Sequence, residues 1–455
     1  MNDAKVTKAY RARILSFDAQ ATPSNSARLD EDGLLVIGAN EQGRQEVQMV
    51  GDYNLLADEF KSRHPDVTVQ HLPDRIIAPG FVDTHVHYPQ TDVIGSPAEG
   101  LLPWLESYTF PEEKRFVDVE YAAQAATFFI AELLRNGVTT ALAFATSHVA
   151  SVDALFAEAQ KNNLRLITGK CMQDRNSPDG VRDETEQSLI DTELLMHKWH
   201  DPDGPSRLGY AFTPRFAPSC SDAQLRGLGE LADKYPDVWI QSHVAENVEE
   251  ITWALSLFPQ ARSYLQIYDD FGLMRKRAVY AHCIHLDATD RALMQSTGAA
   301  AAVCPTSNLF LGSGYFDYRA ADDAGMAYAL ASDVGGGTSF SPFHTMLAAY
   351  YVGRATVKTA LFQGGQPKLG MSLSPQNLWW QHTAGAAKAL GLDGVIGNLA
   401  VGCEADFIIL NPQATPLLAR RTARAESLDE LLFAMIVLGD DRLIEKTVIS
   451  QQLVA

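Results

Sequence analysis

From about residue 76 onward, short apolar runs alternate with segments of helical periodicity. Each run ends in polar residues, and segments such as SDAQLRGLGELADKYP (221–236) place apolar residues at helical spacing behind a serine or aspartate, a typical helix start. Eight strand candidates alternating with helices indicate a parallel sheet and favour a closed (β/α)8 barrel. The runs are IIAPGFVDTHVH (76–87), GVTTALAFATS (137–147), LRLITGKCMQ (164–173), LGYAFTPRFAPS (208–219), DVWIQSHVAEN (237–247), RAVYAHCIHL (277–286), GAAAAVCPTSN (298–308) and GMAYALASDVGG (325–336).

The alternative fold is an open doubly wound sheet, which needs a glycine-rich first turn that opens a helix. The first run has no such turn. Residues 10–75 contain short β-like pieces without long helical periods, and GNLAVGCEADFIILNP (397–412) has the same character. We therefore expect an α/β chain in which a TIM-type barrel of residues 76–389 is flanked by a small β-sandwich-like domain, built from both termini (residues 1–75 and 390–455).

Composition restricts the cellular setting and the partners. The net charge of −19 argues against nucleic acid or an anionic membrane as the main partner. No apolar run reaches the roughly 18 residues of a membrane span, and the first residues lack a secretory signal pattern. Five scattered cysteines do not form a disulfide framework. These features predict a cytoplasmic, reduced protein.

Histidines and an aspartate occupy the ends of the predicted strands. His85 and His87 point to the same face of an extended first strand, and His243, His282 and Asp333 end the fifth, sixth and eighth runs. Two histidines of this spacing also occur on the wet face of an ordinary strand. Because barrel strands converge on one rim, however, these side chains can share a pocket, and their nitrogen and oxygen donors suit zinc or ferrous iron.

Glu246 follows His243 by three residues. An acid at this place is common at a helix start, where it complements the helix dipole. The alternative interpretation is a proton carrier, since a carboxylate near a metal-activated water can move a proton between that water and the substrate. Downstream, the GGG of residues 335–337 predicts a close approach of the backbone to the pocket after Asp333.

The motifs PGFVDTHVH, SHVAEN, AHCIH and SDVGG, together with the terminal GNLAVGCEADF, resemble the amidohydrolase superfamily over nearly the whole chain. The resemblance implies a distorted (β/α)8 barrel with a terminal β domain. Two-metal members carry a bridging lysine at the end of strand four, but TPRFAPS has none and Lys170 lies in the preceding run. The resemblance thus favours a single metal held by His85, His87, His243 and Asp333, with His282 orienting water or substrate.

Within the superfamily, the HxxE pattern that contains Glu246 is similar to that of the mononuclear deaminases. The stretches HYPQTDVIGSPAEGLLPWLE (87–106) and PRFAPSCS (214–221) resemble the members that deaminate guanine. The resemblance implies that Gln90 and Arg215 hydrogen-bond the purine and that Phe216 packs on its ring. Without it, Arg215 reads as a surface arginine and Phe216 as a core aromatic.

The resemblance therefore implies zinc-dependent hydrolysis of guanine to xanthine and ammonia, with one Zn²⁺ per subunit, Fe²⁺ as an alternative, and a homodimer. Another aminohydrolase or chlorohydrolase of the same fold, acting on a different purine, a pterin or a triazine, is an alternative. A non-catalytic assembly protein is a second one. The expected catalytic residues are Glu246, Asp333 and His282. The expected substrate-binding residues are His87, Gln90, Arg215, Phe216, His243, Glu246, His282 and Asp333.

Overall fold

The computed structural model describes residues 5–18, 21–358, 361–363, 366–368, 370–450 and 452–453. The strands in these ranges are β1 (Lys5–Phe17), β2 (Ala27–Ala39), β3 (Gln45–Asp52), β4 (Val69–Pro79), β5 (Phe81–His87), β6 (Val138–Phe144), β7 (Arg165–Gly169), β8 (Cys171–Met172), β9 (Gly209–Pro214), β10 (Trp239–Val244), β11 (Ala278–His282), β12 (Ala300–Val303), β13 (Ala327–Leu330), β14 (Leu361–Gln363), β15 (Gln366–Lys368), β16 (Phe407–Leu410), β17 (Ile444–Ile449) and β18 (Gln452–Leu453).

The α-helices in the same ranges are α1 (Tyr53–Arg63), α2 (Leu101–Trp104), α3 (Phe110–Glu113), α4 (Val119–Arg135), α5 (Val149–Lys161), α6 (Thr185–Trp199), α7 (Asp222–Lys234), α8 (Val248–Leu257), α9 (Tyr264–Asp270), α10 (Ala288–Thr297), α11 (Pro305–Phe310), α12 (Tyr318–Asp323), α13 (Pro342–Lys358), α14 (Pro375–Gln381), α15 (Ala384–Ala389), α16 (Pro416–Thr422) and α17 (Leu428–Leu438).

Strands β5 to β13 form the barrel. Neighbouring strands are parallel in the order β13-β12-β11-β10-β9-β7-β6-β5, and β8 adds to β9. The two ends of this sheet meet where the Asp333 N–H donates to the His85 carbonyl oxygen at 2.9 Å and the His87 N–H donates to the Val334 carbonyl oxygen at 2.8 Å. The predicted TIM-type barrel is confirmed, and each of the eight predicted runs contains a barrel strand.

The first predicted run is divided between two sheets. Residues 76–79 belong to β4 of the terminal sheet, whereas the barrel strand β5 begins at Phe81. Gly80 lies at the junction, where a Cβ atom would come within 2.1 Å of the Thr139 hydroxyl. A residue without a side chain is therefore needed for the chain to pass from one sheet to the next.

Apolar side chains fill the lower part of the barrel. Trp239 packs there against Val82, Leu142 and Ile167, and alanines of β12 and β13 accommodate its bulk. Its indole N–H donates to the Leu390 carbonyl oxygen at 2.9 Å, just after α15, which closes this end. Because this end is packed solid, the polar strand ends face the opposite rim, where TIM barrels place their chemistry.

Both ends of the chain contribute to a second sheet, with the order β18-β17-β16-β4-β1-β2-β3. β16 pairs antiparallel with β4, so that Phe407 lies opposite Pro79 and Leu410 opposite Ile76. The expected terminal β domain is therefore present as a single seven-stranded sheet. Its division from the barrel at residues 75/76 and 389/390 remains our proposal, since β4 runs through the first of these points.

Residues 10–75 also contain a helix, α1, that the sequence analysis did not anticipate. Asp52 caps it, accepting hydrogen bonds from the N–H groups of Asn54 and Leu55, and Ala57 and Phe60 bury its apolar side. Only these two positions of the helix are buried, which explains why the apolar periodicity was weak.

Buried ion pairs join the terminal sheet to the barrel. Glu404 accepts a hydrogen bond from Arg165 Nε at 3.1 Å and pairs with Arg207 Nη1 at 3.1 Å. Arg207 Nη2 also donates to Asp406 at 2.8 Å. Arg165 opens β7 and Arg207 precedes β9, so the acidic residues of GCEADF bind the barrel at its N-terminal side. Within the described ranges, none of the helices combines the length and apolarity that crossing a membrane requires.

Candidate active site

A cavity opens at the C-terminal ends of the barrel strands. All the residues expected to bind substrate lie on its wall. The lining residues are His87, Gln90, Leu101, Trp104, Leu105, Arg215, Phe216, His243, Glu246, Glu250, His282, Leu311, Asp333 and Gly336.

Four of the expected residues converge at the base of this cavity. The Nε2 atoms of His85 and His243 each lie 3.1 Å from His87 Nε2. Asp333 Oδ1 lies 3.2 Å from His85 Nε2 and 3.3 Å from His87 Nε2. Ligands on a tetrahedral zinc, with bonds of about 2.0–2.2 Å, are separated by roughly 3.3–3.6 Å. The four donors are thus spaced as ligands of one small ion, and we call them the donor cluster.

The protonation of the donor cluster suits metal binding. Burial lowers the pKa of His87 to about 3 and holds the pKa of His243 well below its ordinary value, which keeps both imidazoles neutral. His243 Nδ1 donates to the Arg215 carbonyl oxygen at 2.6 Å, so its Nε2 lone pair faces the cluster, as in other metal-binding histidines. Burial opposes ionisation of Asp333, but its hydrogen bonds with His85 and His87 hold its pKa well below the ordinary value.

A second group of potential ligands, His85, His282, Cys304 and Asp333, overlaps the first. Burial raises the pKa of the Cys304 thiol well above its ordinary value, and this thiol donates to the Ala302 carbonyl oxygen at 3.4 Å. A protonated thiol is a poor metal ligand. The three histidines and one aspartate of the donor cluster therefore form the better metal site.

The backbone bends sharply where two of these strands end. His282 has φ 69° and Asp333 has φ 51°, a left-handed conformation that is uncommon for residues other than glycine and that clusters at functional sites. Gly335 then passes so close to Gln90 that a Cβ atom would come within 2.4 Å of the Gln90 carbonyl oxygen. The close backbone approach predicted for the GGG stretch is confirmed at this position.

Glu246 lies beside the donor cluster and is 2% exposed. Its Oε2 is 3.3 Å from His282 Nε2, and its Oε1 accepts a hydrogen bond from the Ser313 hydroxyl at 3.0 Å. Burial and the nearby Asp333 carboxylate raise the pKa of Glu246 to about 8. This carboxyl group can therefore be either protonated or ionised near neutral pH, as a proton carrier requires.

His282 points toward both acids of the site. Its Nδ1 hydrogen-bonds Asn308 Oδ1 at 2.9 Å, and since the amide oxygen can only accept, Nδ1 carries the proton. Nε2 then faces Glu246 at 3.3 Å and Asp333 Oδ2 at 3.8 Å. The sequence analysis also separated His282 from the four metal ligands. The role of His282 in orienting water or substrate stays a prediction.

Arg215 is buried and fixed by a partner that the sequence analysis missed. Its Nη1 donates to both oxygens of Glu113, at 2.9 and 2.6 Å, and its guanidinium lies 5.0 Å from the Phe110 ring centroid. Glu113 is 1% exposed. In the sequence, Glu113 resembles an ordinary surface acid of the PEEKR segment. Its role is clear only from the structure, because the buried Arg215 requires a buried counter-charge. Arg215 is thus not the surface arginine of the alternative interpretation.

Gln90 and Phe216 border the same cavity. Gln90 Oε1 accepts a hydrogen bond from the Gly335 N–H at 3.3 Å, which leaves its amide N–H groups for other partners. Phe216 is 6% exposed, and its ring meets that of Trp253 edge-on with a centroid distance of 5.8 Å. The aromatic face and the amide donors therefore border a site suited to a flat, polar ring.

None of the contacts described for Lys170 joins it to the donor cluster. Its ammonium group is buried and pairs with Asp183, whose carboxylate also accepts from the Gln173 N–H. A lysine held in such an ion pair is unsuited to bridge two metals.

Comparison with known proteins places this architecture in a family. Residues 76–454 match the model of the amidohydrolase family. The chain is 42% identical over its full length to guanine deaminase from Escherichia coli K12, of which it covers 99%. A solved structure of E. coli guanine deaminase superposes with a TM-score of 0.89, at 40% identity and 99% coverage of each chain.

A crystal structure of guanine deaminase from C. acetobutylicum, with guanine bound in its active site, superposes with a TM-score of 0.87. It is 30% identical to this chain, and the superposition covers 98% of this chain and 100% of that one. The resemblance inferred from the motifs is confirmed. This chain belongs to the amidohydrolase family.

Proposed function

We propose that this protein hydrolyses guanine to xanthine and ammonia in a zinc-dependent reaction. One observation supports the proposal above all. Beside the donor cluster, a buried acid of raised pKa, Glu246, shares a cavity with Arg215, a fixed arginine fork. The full-length similarity to proteins named guanine deaminase, one of them with bound guanine, supports the choice of substrate.

His85, His87, His243 and Asp333 would hold the metal, one ion per subunit. Neutral imidazoles and a carboxylate fit zinc, and Fe²⁺ is the alternative ion for the same donors. When bound, such an ion acts as a Lewis acid and lowers the pKa of water to about 7. We further propose a homodimer in the cytoplasm, on the basis of the family resemblance.

Glu246 would move protons between water and the base. Its Oε1 is tied to Ser313 at 3.0 Å, so Oε2, which faces His282 and Asp333, is the oxygen that would carry the proton. In the proposed reaction, water adds to C2 of guanine and Glu246 delivers a proton to a ring nitrogen. The 2-amino group then takes a proton and leaves as ammonia, and C2 keeps the oxygen as the xanthine carbonyl. His282 would position the reacting groups while Asp333 shares the proton transfers.

The ring itself would be held by the other wall of the cavity. Glu113 occupies Nη1 of Arg215, which leaves further N–H groups of the fork to donate to the purine carbonyl and ring nitrogen. Gln90 would offer its amide N–H to the opposite edge, and Phe216 would pack on the ring face.

The proposal is tested by measuring ammonia release and loss of the guanine ultraviolet band with zinc-loaded protein. Adenine, cytosine, pterin and an aminotriazine are assayed in parallel. We expect turnover of guanine alone. Activity on another amino-heterocycle without activity on guanine would keep the metal site and refute the substrate. Inactivity on all of them with a full zinc complement would refute the proposed deamination and leave a chlorohydrolase or a non-catalytic assembly protein as the alternatives.

A further inference from the structure

Two neighbouring segments carry the groups that the proposed reaction must align. Residues 215–217, after β9, hold the ring-binding Arg215 and Phe216. Residues 245–247, after β10, hold the proton carrier Glu246. Phe216 of the first segment forms an isolated bridge with His243, in the strand β10 that leads into the second segment. Because Glu246 must reach one atom of the bound ring, the proposed reaction depends on the distance between the two segments.

Glu250, in the first turn of α8, fixes the backbone of the second segment. Its Oε2 accepts hydrogen bonds from the N–H groups of Glu246 at 3.0 Å and Asn247 at 3.2 Å. Asn247 in turn caps the helix through its own side chain. A capping box of this kind is common and by itself only stabilises a helix start.

Tyr264 extends the arrangement to the first segment. Its hydroxyl accepts a hydrogen bond from the Ala217 N–H at 3.2 Å and interacts with the buried Glu250 carboxylate. Tyr264 is 2% exposed and Glu250 is 1% exposed. Buried hydrogen bonds of this kind are costly to leave unmade. The chain from Ala217 through Tyr264 and Glu250 to Glu246 therefore connects both segments without passing through the donor cluster.

We propose that Tyr264 and Glu250 are a positioning pair that sets the distance between the ring-binding segment and the proton carrier. The proposed reaction assigns neither residue a chemical step. It acts by holding Ala217 at one end and the Glu246 backbone at the other. This inference rests on the proposed function, because it assigns the pair a role in aligning Glu246 with the bound ring.

The first test is Tyr264→Phe, which keeps the ring and removes the hydroxyl. We expect kcat and kcat/KM for guanine to fall together, between about tenfold and about a hundredfold, since misplacement by about 1 Å has effects of this size. Tyr280→Phe is the matched control. Tyr280 is also buried, and its hydroxyl donates to the Leu273 carbonyl oxygen at 3.0 Å, away from both segments. We expect it to lower stability without changing kcat.

The second test separates the link from the helix cap. The oxygen of glutamine can still accept from both backbone N–H groups and thus keep the capping box, but its NH2 group then presents a donor, in place of an acceptor, to the Tyr264 hydroxyl. If the link matters, Glu250→Gln shows the same loss of kcat as Tyr264→Phe, and the double variant shows no further loss. If only the cap matters, Glu250→Gln has wild-type kcat while Glu250→Ala does not.

Wild-type kcat in both Tyr264→Phe and Glu250→Gln, or fully additive losses in the double variant, would overturn the inference. Zinc content and thermal unfolding are measured for every variant, so that a loss of folded or loaded protein is not mistaken for misalignment. Should Tyr264→Phe fail to fold, Glu250→Gln against Glu250→Ala decides the question. An inactive wild-type protein would instead refute the proposed function, a separate outcome.

Discussion

Replacing Glu246 by glutamine is the most direct test of the proton-carrier role. The amide has the same shape as the carboxyl group, so its oxygen can still accept the hydrogen bond from Ser313, and its NH2 group can donate to His282 Nε2. Both contacts, at 3.0 and 3.3 Å, are compatible with this exchange. The substitution thus removes the exchangeable proton with little change to packing.

The expected loss of activity follows from the residues that the Glu246→Gln substitution leaves in place. The donor cluster, Arg215 and Phe216 are unchanged, so metal and substrate binding should be retained and KM should change little. General acid–base catalysis contributes about 10²- to 10⁴-fold to rate, equivalent to about 3–5 kcal/mol of activation free energy. We expect kcat to fall by this factor. Because the uncharged amide no longer faces Asp333 in the buried site, stability should not fall.

The assay follows loss of the guanine ultraviolet band and confirms it by ammonia release, with zinc content and thermal unfolding measured on the same samples. Glu249→Gln is the matched control, because Glu249 lies only three residues further along the chain, in the first turn of α8, but is exposed. A folded, zinc-loaded Glu246→Gln protein with near wild-type kcat would refute the proton-carrier role. An equal loss in Glu249→Gln would show that charge rather than position is responsible.

Three further perturbations test the site and the scaffold. Arg215→Ala leaves the buried Glu113 carboxylate unpaired and should lower kcat/KM for guanine by about 10²- to 10⁴-fold. Arg215→Lys should not restore it, because lysine lacks the forked guanidinium group. An unchanged kcat/KM would confine Arg215 to a structural role. Burial lowers the pKa of His382 from 6.5 to about 4, so between these pH values the unfolded chain binds more protons than the folded protein, and the free energy of unfolding should rise with pH by about 3 kcal/mol. In His382→Leu, denaturant titrations at several pH values should show a weaker dependence of the free energy of unfolding on pH. Parallel curves for the variant and the wild type would contradict this. Arg207→Met removes the cation shared by two buried carboxylates and should destabilise the protein by about 3–5 kcal/mol in guanidinium unfolding, whereas exposed Arg442→Met should cost about 0–1 kcal/mol.

The barrel could be predicted because its strands are buried on both faces and therefore form compact apolar runs between amphipathic helices. The division at Gly80 could not, because β4 and β5 follow each other as one continuous apolar run and only the packing against Thr139 separates them. Helix α1 was missed for the opposite reason. It buries only two side chains, and so it carries little apolar periodicity.

The donor cluster could be predicted from strand ends, because parallel strands place those ends on one rim. Its supporting residues could not. Glu113, Asn308 and Ser313 come from helices and loops whose position depends on tertiary packing, and each is of a residue type that is ordinary in such segments. Only the buried partners, Arg215, His282 and Glu246, show why those side chains are needed.

The pairing of β4 with β16 has a consequence for synthesis on the ribosome. β1 to β4 emerge early, but the strand that covers the other edge of β4 follows the whole barrel. Until then Ile76, Ile77 and Ala78, which are buried in the finished protein, present an open apolar edge, and such edges recruit strands from other chains. The nascent protein is therefore most vulnerable to aggregation while its barrel is being made, and chains that terminate before β16 keep that edge permanently.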